Sequence, residues 1–475
     1  MIDSAALERR IAGHWDDEIV GEITEYIRLP AKSPHFDADW RAHGHIEAAI
    51  RQAERWVRAQ GVRGLTLEIV RIEGRTPLLF FDVPATGSAG QGRTVLLYGH
   101  LDKQPEMTGW HEGYGPWAPR MVDGKLYGRG GADDGYAVFA SLAALAALQA
   151  QGLPHARCVG MIETCEESGS YDLPAYLELL APRIGNVDLV IGLDSGAGDY
   201  DRLWQTTSLR GLAGGTLAVE VLTEGVHSGD ASGVVPSSFR ILRRLLDRLE
   251  DSATGRVIPA EFHAAIPDER IVQARAAAGI LGETMLKRFP WSQRTKPMVV
   301  EGAEVVLNRT WRPALSVIGA DGMPPIANAG NVLRPATRMK LSLRLPPTVD
   351  GERASGALKR LLEADPPHGA SVRFEADAHA SGWNAPPTAA WLAAAIDAAS
   401  RTHYGQGPGA LGEGGTIPFM GMLGKQFPDA QFLITGVLGP KSNAHGPNEF
   451  LHVPYAKKLT ACVAQVIVAH AQRGT

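Results

Sequence analysis

The stretch TVLLYGHLD, residues 94–102, decides the fold because it combines a short apolar strand with polar side chains at its end. The apolar residues 94–98 are typical of a buried strand, and His100 and Asp102 follow directly. Residues i and i+2 of an extended chain point to the same side, so these two side chains can be neighbours. Open α/β sheets bind ligands at the carboxyl ends of their strands. The stretch therefore predicts a central strand with a candidate site at its end, although a surface His-x-Asp turn is the alternative for this motif alone.

Outward from this strand, apolar runs alternate with helical patterns on both sides. The pattern predicts further strands at 65–72, 77–83, 159–162, 187–193 and 431–437. It predicts helices at 134–151, 173–180, 388–403 and 455–470. Strands that alternate with helices indicate an α/β domain whose central sheet is mainly parallel.

A different pattern begins near residue 209. Predicted strands and helices then follow in the order β-α-β-β-α-β, which is typical of a ferredoxin-like α+β domain. Within it, Arg338–Leu345 alternates strictly between apolar and polar residues, as expected for a strand with one buried face. We therefore predict a discontinuous α/β domain, 1–208 and 382–475, and a domain inserted into it, 209–381. The segment 253–308 is read as an elaboration of the inserted domain.

Composition excludes several classes of protein. The chain has 475 residues, 47 Lys+Arg and 52 Asp+Glu, and 44% hydrophobic residues, so neither a disordered acidic protein nor a nucleic-acid binder with a basic stripe is expected. No signal peptide or apolar run of membrane-spanning length is apparent, and there are only three cysteines. These features predict a cytoplasmic protein without a membrane partner. Glycine makes up 54 of the 475 residues, more than the usual share of about 7%, which indicates loops that approach a ligand closely.

Acidic residues and a histidine follow several predicted strands of the α/β layer. Each motif alone has a simpler explanation, since the aspartates can cap a helix and paired glutamates are common on surfaces. Together they would repel one another unless cations neutralised them, and nitrogen and oxygen ligands without thiolate suit Zn²⁺, Mn²⁺ or Co²⁺. The motifs are GRGGADDG with Asp133 and Asp134, EESG with Glu166 and Glu167, Asp194, and NAHGPNE with His445.

These motifs, in this order, resemble those of the di-zinc metallopeptidase and deacylase family. That family includes carnosine-type dipeptidases, glutamate carboxypeptidase, acetylornithine deacetylase and aminoacylase. The dipeptidase-like branch is the most similar, on the strings YGHLD at 98–102 and GKLYGRG at 124–130. The resemblance covers nearly the whole chain, including the predicted insertion. It implies that 1–208 and 382–475 form a zinc-exopeptidase-type catalytic domain and that 209–381 is a lid or dimerisation domain.

The resemblance also implies roles for single residues. It implies two Zn²⁺ per chain, with Mn²⁺ or Co²⁺ as alternatives, and a cis peptide bond between the two aspartates. Asp133 would bridge the ions, Asp102 would orient a ligand and Glu166 would be the general base. The ligands completing the two sites would be His100 with Asp194 and Glu167 with His445.

In the predicted inserted domain, His227 is similar to a family histidine that reaches across a homodimer interface to the oxyanion. Arg344 is similar to the arginine that holds a substrate carboxylate. Asn331, Gly415 and Thr416 resemble further substrate contacts. We expect an exopeptidase that acts on dipeptides or short peptides. The alternatives are an N-acyl amino acid deacylase with the same metals and an inactive relative that acts as a binding protein.

Three positions depart from the family pattern. Lys103 stands where relatives carry a small apolar residue, and Gly135 stands where many dipeptidases have lysine. Gly412 stands where the dipeptidases usually have arginine. None of these is a predicted metal ligand, so the departures bear on the pocket and on the preference for dipeptides.

Overall fold

The computed structural model describes residues 2–88, 90–377 and 379–473. A six-stranded central sheet lies under the candidate site, and His100 ends one of its inner strands. The strands lie in the order Thr66–Val70, Leu78–Val83, Arg157–Glu163, Thr94–His100, Leu189–Gly192 and Gln431–Ile434.

Four of these strands, from Arg157–Glu163 to Gln431–Ile434, pair in parallel. The two at the other edge are antiparallel, because residues 71–77 between them form too short a connection for a parallel crossover. The predicted α/β class is thus confirmed, with a mixed sheet that is parallel where the candidate site lies. Parallel strands place their carboxyl ends at one edge of a sheet, which is what brings the polar motifs together.

Helices cover both faces of the central sheet. The helix after the two aspartates, Tyr136–Ala150, is apolar on nearly all sides and is buried almost throughout. It shares one face of the sheet with Ser4–His14, Val20–Arg28, His45–Ala59, Ala390–Tyr404 and Val453–Gln472. The other face is covered by Leu173–Ile184 and Pro418–Gln426.

A second sheet has four antiparallel strands with its own core. In the alternating strand Ala336–Leu345, the apolar side chains Leu341 and Leu343 are buried under two helices, as the sequence pattern predicts. The strand order is Ala314–Asp321, Ala336–Leu345, Gly211–Glu220 and Ser371–Ala376, and the two helices are Ser238–Leu246 and Gly351–Glu363. The connectivity is the predicted β-α-β-β-α-β.

A third apolar cluster joins the segment 253–308 to a smaller sheet. The helices of this segment, Asp268–Leu281, Thr284–Lys287 and Gly302–Thr310, pack against Trp204 and Leu411 rather than on the second sheet. The smaller sheet consists of Trp383–Asn384, Trp204–Leu209 and Gly409–Glu413. The described residues also form three small antiparallel sheets: Arg120–Val122 with Lys125–Tyr127 and Phe450–His452, Val226–His227 with Val332–Leu333, and Glu250–Asp251 with Arg256–Val257.

Among the described residues, no helix has both the length and the apolar composition to cross a membrane.

Candidate metal centre

The polar motifs meet at the carboxyl edge of the parallel strands. His100 ends its strand, Asp194 lies two residues beyond Leu189–Gly192, and Glu167 lies in a single turn after Arg157–Glu163. Asp133 arrives from the loop before the buried helix, across a cis peptide bond to its neighbour. The strand ends thus supply three of the five predicted ligands, and two loops supply the others.

The first group of donors consists of His100, Asp133 and Asp194, all of which are buried. The Nε2 atom of His100 lies 3.6 Å from Oδ1 of Asp133 and 3.8 Å from Oδ2 of Asp194. One imidazole nitrogen and two carboxylate oxygens therefore face a common point, as a borderline divalent cation requires.

The second group consists of Asp133, Glu167 and His445. The Nε2 atom of His445 lies 3.0 Å from Oδ2 of Asp133 and 3.3 Å from Oε2 of Glu167. Asp133 belongs to both groups and turns one oxygen toward each, so it has the geometry of a bridging carboxylate.

Asp102 fixes the orientation of these donors from behind. Its carbonyl oxygen lies 3.1 Å from Nδ1 of His100, which leaves Nε2 to face the carboxylates. Its carboxylate accepts the backbone N–H groups of Glu166 at 3.1 Å and Glu167 at 2.9 Å. A group bonded to the second nitrogen of a ligating imidazole sets its tautomer and raises its basicity.

The pKa values of the candidate ligands reflect the negative charge that is concentrated at the centre. Burial, reinforced by Asp133, raises the pKa of Glu167 to about 8, and burial raises the pKa of Asp194 to about 7. Burial tends to lower the pKa of His100, but the neighbouring carboxylates outweigh it and hold that pKa well above its usual value. These carboxylates can all be ionised at neutral pH only if positive charge is added between them.

The donor set fits divalent cations. His100 Nε2 and Glu167 Oε1 are buried and have no hydrogen-bond partner among the described residues. Buried nitrogen and oxygen atoms without a partner destabilise the fold unless a ligand binds to them. Nitrogen and oxygen donors in two groups that share one carboxylate suit a binuclear centre.

Glu166 stands beside the two groups but belongs to neither. Its side chain is half-buried, and burial together with the charge of Asp194 raises its pKa well above the usual glutamate value. A carboxylate near the cations but outside their ligand sets remains free to accept a proton.

A buried ion pair holds the loop that carries His445. Arg129 Nη1 lies 2.5 Å from Glu449 Oε2, and Arg129 Nη2 donates to the carbonyl of Gly446 at 2.8 Å. The second oxygen of Glu449 accepts the backbone N–H of Gly130 at 2.9 Å. The ion pair therefore joins the aspartate loop to the histidine loop, although the side chain of His445 is itself 56% exposed.

We expect Arg129→Met to lower the free energy of unfolding by about 3–5 kcal/mol, because it leaves Glu449 charged, buried and unpaired. Metal content should fall with it, since the His445 loop loses its anchor. Thermal unfolding and metal analysis on the same preparations measure both effects. Arg120→Met is the control, because Arg120 is exposed. Arg129→Met with Glu449→Met should recover part of the stability, and a single variant as stable as wild type would contradict the anchoring role.

The predicted His227 and Asn331 lie together but away from the donors of the same chain. His227 is exposed and its Nδ1 accepts the N–H of Gly229 at 3.0 Å. Asn331 is also exposed, and its carbonyl accepts the N–H of Ser228 at 2.9 Å. No hydrogen bond or ion pair among the described residues joins this pair to the two donor groups.

Arg344 and Thr416 are brought together, whereas Gly415 is exposed and contributes no side chain. Arg344 Nη1 lies 3.4 Å from Thr416 Oγ1, which donates in turn to the carbonyl of Arg210 at 2.6 Å. Thr416 therefore links the second sheet to the loop that follows the strand Gly409–Glu413.

The departures from the family pattern have local structural reasons. Lys103 is buried, and its Nζ donates to the carbonyls of Tyr26 at 2.7 Å and Leu29 at 2.8 Å, where the helix Val20–Arg28 ends. The ring of Tyr26 lies so close to Gly135 that a Cβ atom there would clash with it. Tyr26 therefore accounts for both departures: its carbonyl accepts a hydrogen bond from Lys103, and its ring leaves no space for a side chain at position 135.

Gly412 is similarly constrained by a neighbouring element. A Cβ atom at this position would lie 2.9 Å from Cβ of Thr310 and would also clash with Ser208. Helix Gly302–Thr310, which the sequence pattern does not predict, therefore leaves no space for a side chain at 412.

Other residues at the site were not predicted from the sequence. Gln104 Nε2 donates to Glu167 Oε2 at 2.6 Å, and Arg309 pairs with Glu413 at 3.2 Å. The carboxylate of Glu413 lies against Gly196, two residues after Asp194. Glu413 lies next to the segment with the predicted substrate contacts Gly415 and Thr416, so its position in the sequence could have indicated a role at the site. Nothing in the sequence distinguished Arg309 from other arginines.

The sequence profile of peptidase family M20/M25/M40 matches residues 96–469, which include the whole centre. The chain belongs to peptidase family M20/M25/M40. It is therefore a metal-dependent hydrolase with a candidate binuclear site, and the family resemblance is confirmed.

Individual relatives agree with this assignment. The chain is 27% identical over 467 residues to the cysteinylglycine-S-conjugate dipeptidase of Corynebacterium striatum, covering 93% of this chain and 94% of the relative. It is 29% identical over 290 residues to the Beta-Ala-His dipeptidase of Homo sapiens, covering 58% of this chain and 55% of the relative. Among solved structures, the dipeptidase Dug1p from Saccharomyces cerevisiae has a TM-score of 0.78 at 21% identity and covers 100% of this chain and 99% of that one. The last comparison shows the shared fold.

Proposed function

We propose that this M20/M25/M40 peptidase hydrolyses dipeptides, releasing one amino acid from each side of the bond, with two Zn²⁺ per chain. The observation that carries the proposal is the pair of donor groups that share Asp133, with Glu166 beside them and outside both. Hydrolysis at a metal needs this division between ligands and a separate base.

Held by His100, Asp194, Glu167, His445 and the shared Asp133, the cations would supply Lewis acidity to the attacking water and to the substrate carbonyl. Glu166 accepts the proton of that water and later delivers it to the nitrogen of the leaving amine. The carboxylate of Asp102 holds Glu166 in place by accepting the backbone N–H of Glu166. The carbonyl oxygen of Asp102 holds His100 through Nδ1, the ring nitrogen that faces away from the centre.

Of two charged groups that could meet the ends of a substrate, one favours a dipeptide over an N-acyl amino acid. Arg344 forms no ion pair within the described chain and can take the terminal carboxylate that both substrate classes carry. Glu413 lies against Gly196, near Asp194, where it can meet a free ammonium group. Only the peptide has that ammonium group, so Glu413 supports the peptidase over the deacylase.

The proposal includes a homodimer formed through the inserted domain. The strand Ala314–Asp321 is an edge of the second sheet with its outer side unpaired. Large apolar side chains are exposed around it and beside the His227 segment: Val317 (46%), Ile318 (64%), Ile326 (96%) and Val234 (84%). A partner that covers them would bring its own His227 toward the centre, which explains why this residue is exposed in one chain.

We also propose a cytoplasmic location. Cys158, Cys165 and Cys462 are all free and buried, which suits a reducing compartment.

Substrate assays on the metal-loaded protein test the choice between peptidase and deacylase. We expect hydrolysis of Ala-Ala and Gly-Ala, and rates at least about 100-fold lower on N-acetyl-Ala and N-succinyl-Ala, because an acyl group cannot pair with Glu413. Glu413→Gln should reduce the ratio of the rate on dipeptides to the rate on the acylated substrates. Hydrolysis of the acylated substrates alone would instead establish the deacylase.

The same preparations separate an enzyme from an inactive binding protein. We expect close to two zinc ions per chain after gentle purification, measured by elemental analysis. Less than one ion per chain, with no hydrolysis after addition of Zn²⁺, Mn²⁺ or Co²⁺, would contradict the proposal.

A further inference from the structure

Three arginines from separate parts of the chain lie together around the loop of residues 414–416. Arg344 is on the second sheet, Arg210 directly precedes the first strand of that sheet, and Arg309 is on the helix Gly302–Thr310. We call these three residues the arginine cluster. Arg344 and Arg309 both act to lower the pKa of Arg210, which burial lowers first, to about 10. Arg210 therefore remains charged at neutral pH.

Arg210 is the structural member of the cluster. Only 9% of the residue is exposed, and its guanidinium donates to three backbone carbonyls. Nε donates to Gly414 at 3.2 Å, and Nη1 donates to Asn308 and Arg312, both at 3.4 Å. Since its donors are used on neutral carbonyls, its charge is not cancelled.

Arg344 and Arg309 keep donors free for a ligand. Arg344 is half-buried, and within the described chain its one side-chain hydrogen bond is to the hydroxyl of Thr416. Among the same residues Arg309 uses only Nη2, on Glu413, and its side chain is 25% exposed. A guanidinium carries five N–H donors in a planar fork, so each of these two can still bind a carboxylate.

The charges in this region do not balance. Glu413 is the one carboxylate that pairs with the cluster in the described part of the chain, so the three arginines exceed it by two positive charges. A substrate with a single carboxylate would satisfy Arg344 and leave the second excess charge unpaired. Half-buried positive charge without a partner is unfavourable, whereas a second anionic group would neutralise it.

The cluster is also connected, through Glu413, to the segment that follows the candidate ligand Asp194. The carboxylate of Glu413 touches Gly196, two residues after the candidate ligand Asp194, and Arg309 holds that carboxylate. A Cβ atom at Gly414 would contact the Arg309 backbone at 3.1 Å and Arg210 Nη2 at 3.2 Å, so the cluster packs closely around this loop.

We infer that Arg309 is a specificity-determining residue which favours dipeptides with an acidic C-terminal residue. This inference rests on the proposed dipeptidase function. The terminal carboxylate would pair with Arg344 and the acidic side chain with Arg309. Arg344 contacts Thr416 and Arg309 packs against Gly414, so both border the loop 414–416 and can hold two carboxylates of one residue. The helix that carries Arg309 belongs to the segment 253–308, so this preference comes from an element outside the metal-binding motifs.

The test compares substrates that differ by one charge. The zinc-loaded wild-type protein is assayed on Ala-Glu and Ala-Gln, and on Glu-Ala and Gln-Ala. We expect kcat/KM for Ala-Glu to exceed that for Ala-Gln on the order of tenfold, as for a charge-assisted hydrogen bond. Added salt should reduce that ratio, because one of the charges is partly exposed. An equal rate on Ala-Glu and Ala-Gln, or a preference for Glu-Ala over Gln-Ala instead, would overturn the inference.

Variants assign the preference to one side chain. Arg309→Gln should reduce the Ala-Glu to Ala-Gln ratio to within about twofold of unity, and Arg309→Lys should retain part of it. Arg312→Gln is the matched control, because Arg312 pairs with Glu304 at 2.6 Å and does not contact Glu413. The control should keep the wild-type ratio. A wild-type ratio in Arg309→Gln, or the same loss in Arg312→Gln, would contradict the role of Arg309.

A measurement on wild type covers the case in which Arg309→Gln does not fold. Free glutamate should inhibit hydrolysis of Ala-Ala more strongly than free glutamine, by about the same factor as the substrate ratio. Equal inhibition would overturn the inference. If none of the dipeptides is hydrolysed, the proposed function itself fails, whereas hydrolysis without a charge preference contradicts only the role of Arg309.

Discussion

Glu166→Gln is expected to lower kcat by about 10²–10⁴-fold while metal content stays at the wild-type level. The amide has the shape of the carboxylate but cannot accept the proton of the attacking water. Metal should remain bound, because Glu166 belongs to neither donor group and the backbone N–H to Asp102 is unchanged. Parallel kinetics and elemental analysis on the purified variant measure both quantities.

The adjacent residue provides the matched control. Glu167→Gln makes the same chemical change one position along, but it removes a donor that lies 3.3 Å from His445. This variant should lose metal, and its activity should recover in part when excess metal is added. If Glu166→Gln keeps a near-normal rate, another group is the base. If it loses metal as Glu167→Gln does, then Glu166 is a ligand.

His227→Ala is expected to lower kcat by about 10²–10³-fold with metal content unchanged, as for removal of an oxyanion donor. The reason is that His227 is exposed in its own chain and, in the proposed dimer, belongs to the site of the partner. His379→Ala, an exposed histidine elsewhere in the inserted domain, should have the wild-type rate.

Mixed dimers distinguish a cross-subunit role from a role within the chain. His227→Ala and Glu166→Gln are each nearly inactive, but a dimer of one with the other contains one site with both groups intact. Random mixing of equal amounts should therefore restore about a quarter of the wild-type activity. No recovery after subunit exchange, or a fully active monomer, would contradict the dimeric site.

Local sequence was enough to predict the arrangement of the donors. Each donor motif follows a recognisable strand or precedes a recognisable helix, and parallel strands end at one edge of a sheet. His100, Asp194 and Glu167 could therefore be expected to meet, since the side chain of each is placed by the backbone of its own strand end. The alternating run of Arg338–Leu345 likewise predicted a strand with one buried face.

Contacts between distant segments could not be predicted in this way. Lys103 depends on the carbonyls that end the helix Val20–Arg28, and Gly412 depends on Thr310, a hundred residues earlier. Arg309 is one arginine among many in the sequence, and its pairing with Glu413 exists only because its helix packs on Trp204 and Leu411. No periodicity or spacing encodes such a pairing, because it depends on how two separately formed elements pack.

The sequence by itself determined the α/β class, the residues available as metal donors and the membership of a hydrolase family. These follow from periodicity and from short motifs, in which backbone geometry places a side chain within a few residues. The family resemblance implied that Asp133 faces both donor groups, and tertiary structure alone decided that Arg129 anchors the His445 loop. Tertiary structure also decided that Arg309 pairs with Glu413. Each of these depends on distances between segments far apart in the chain, which packing of the whole fold sets.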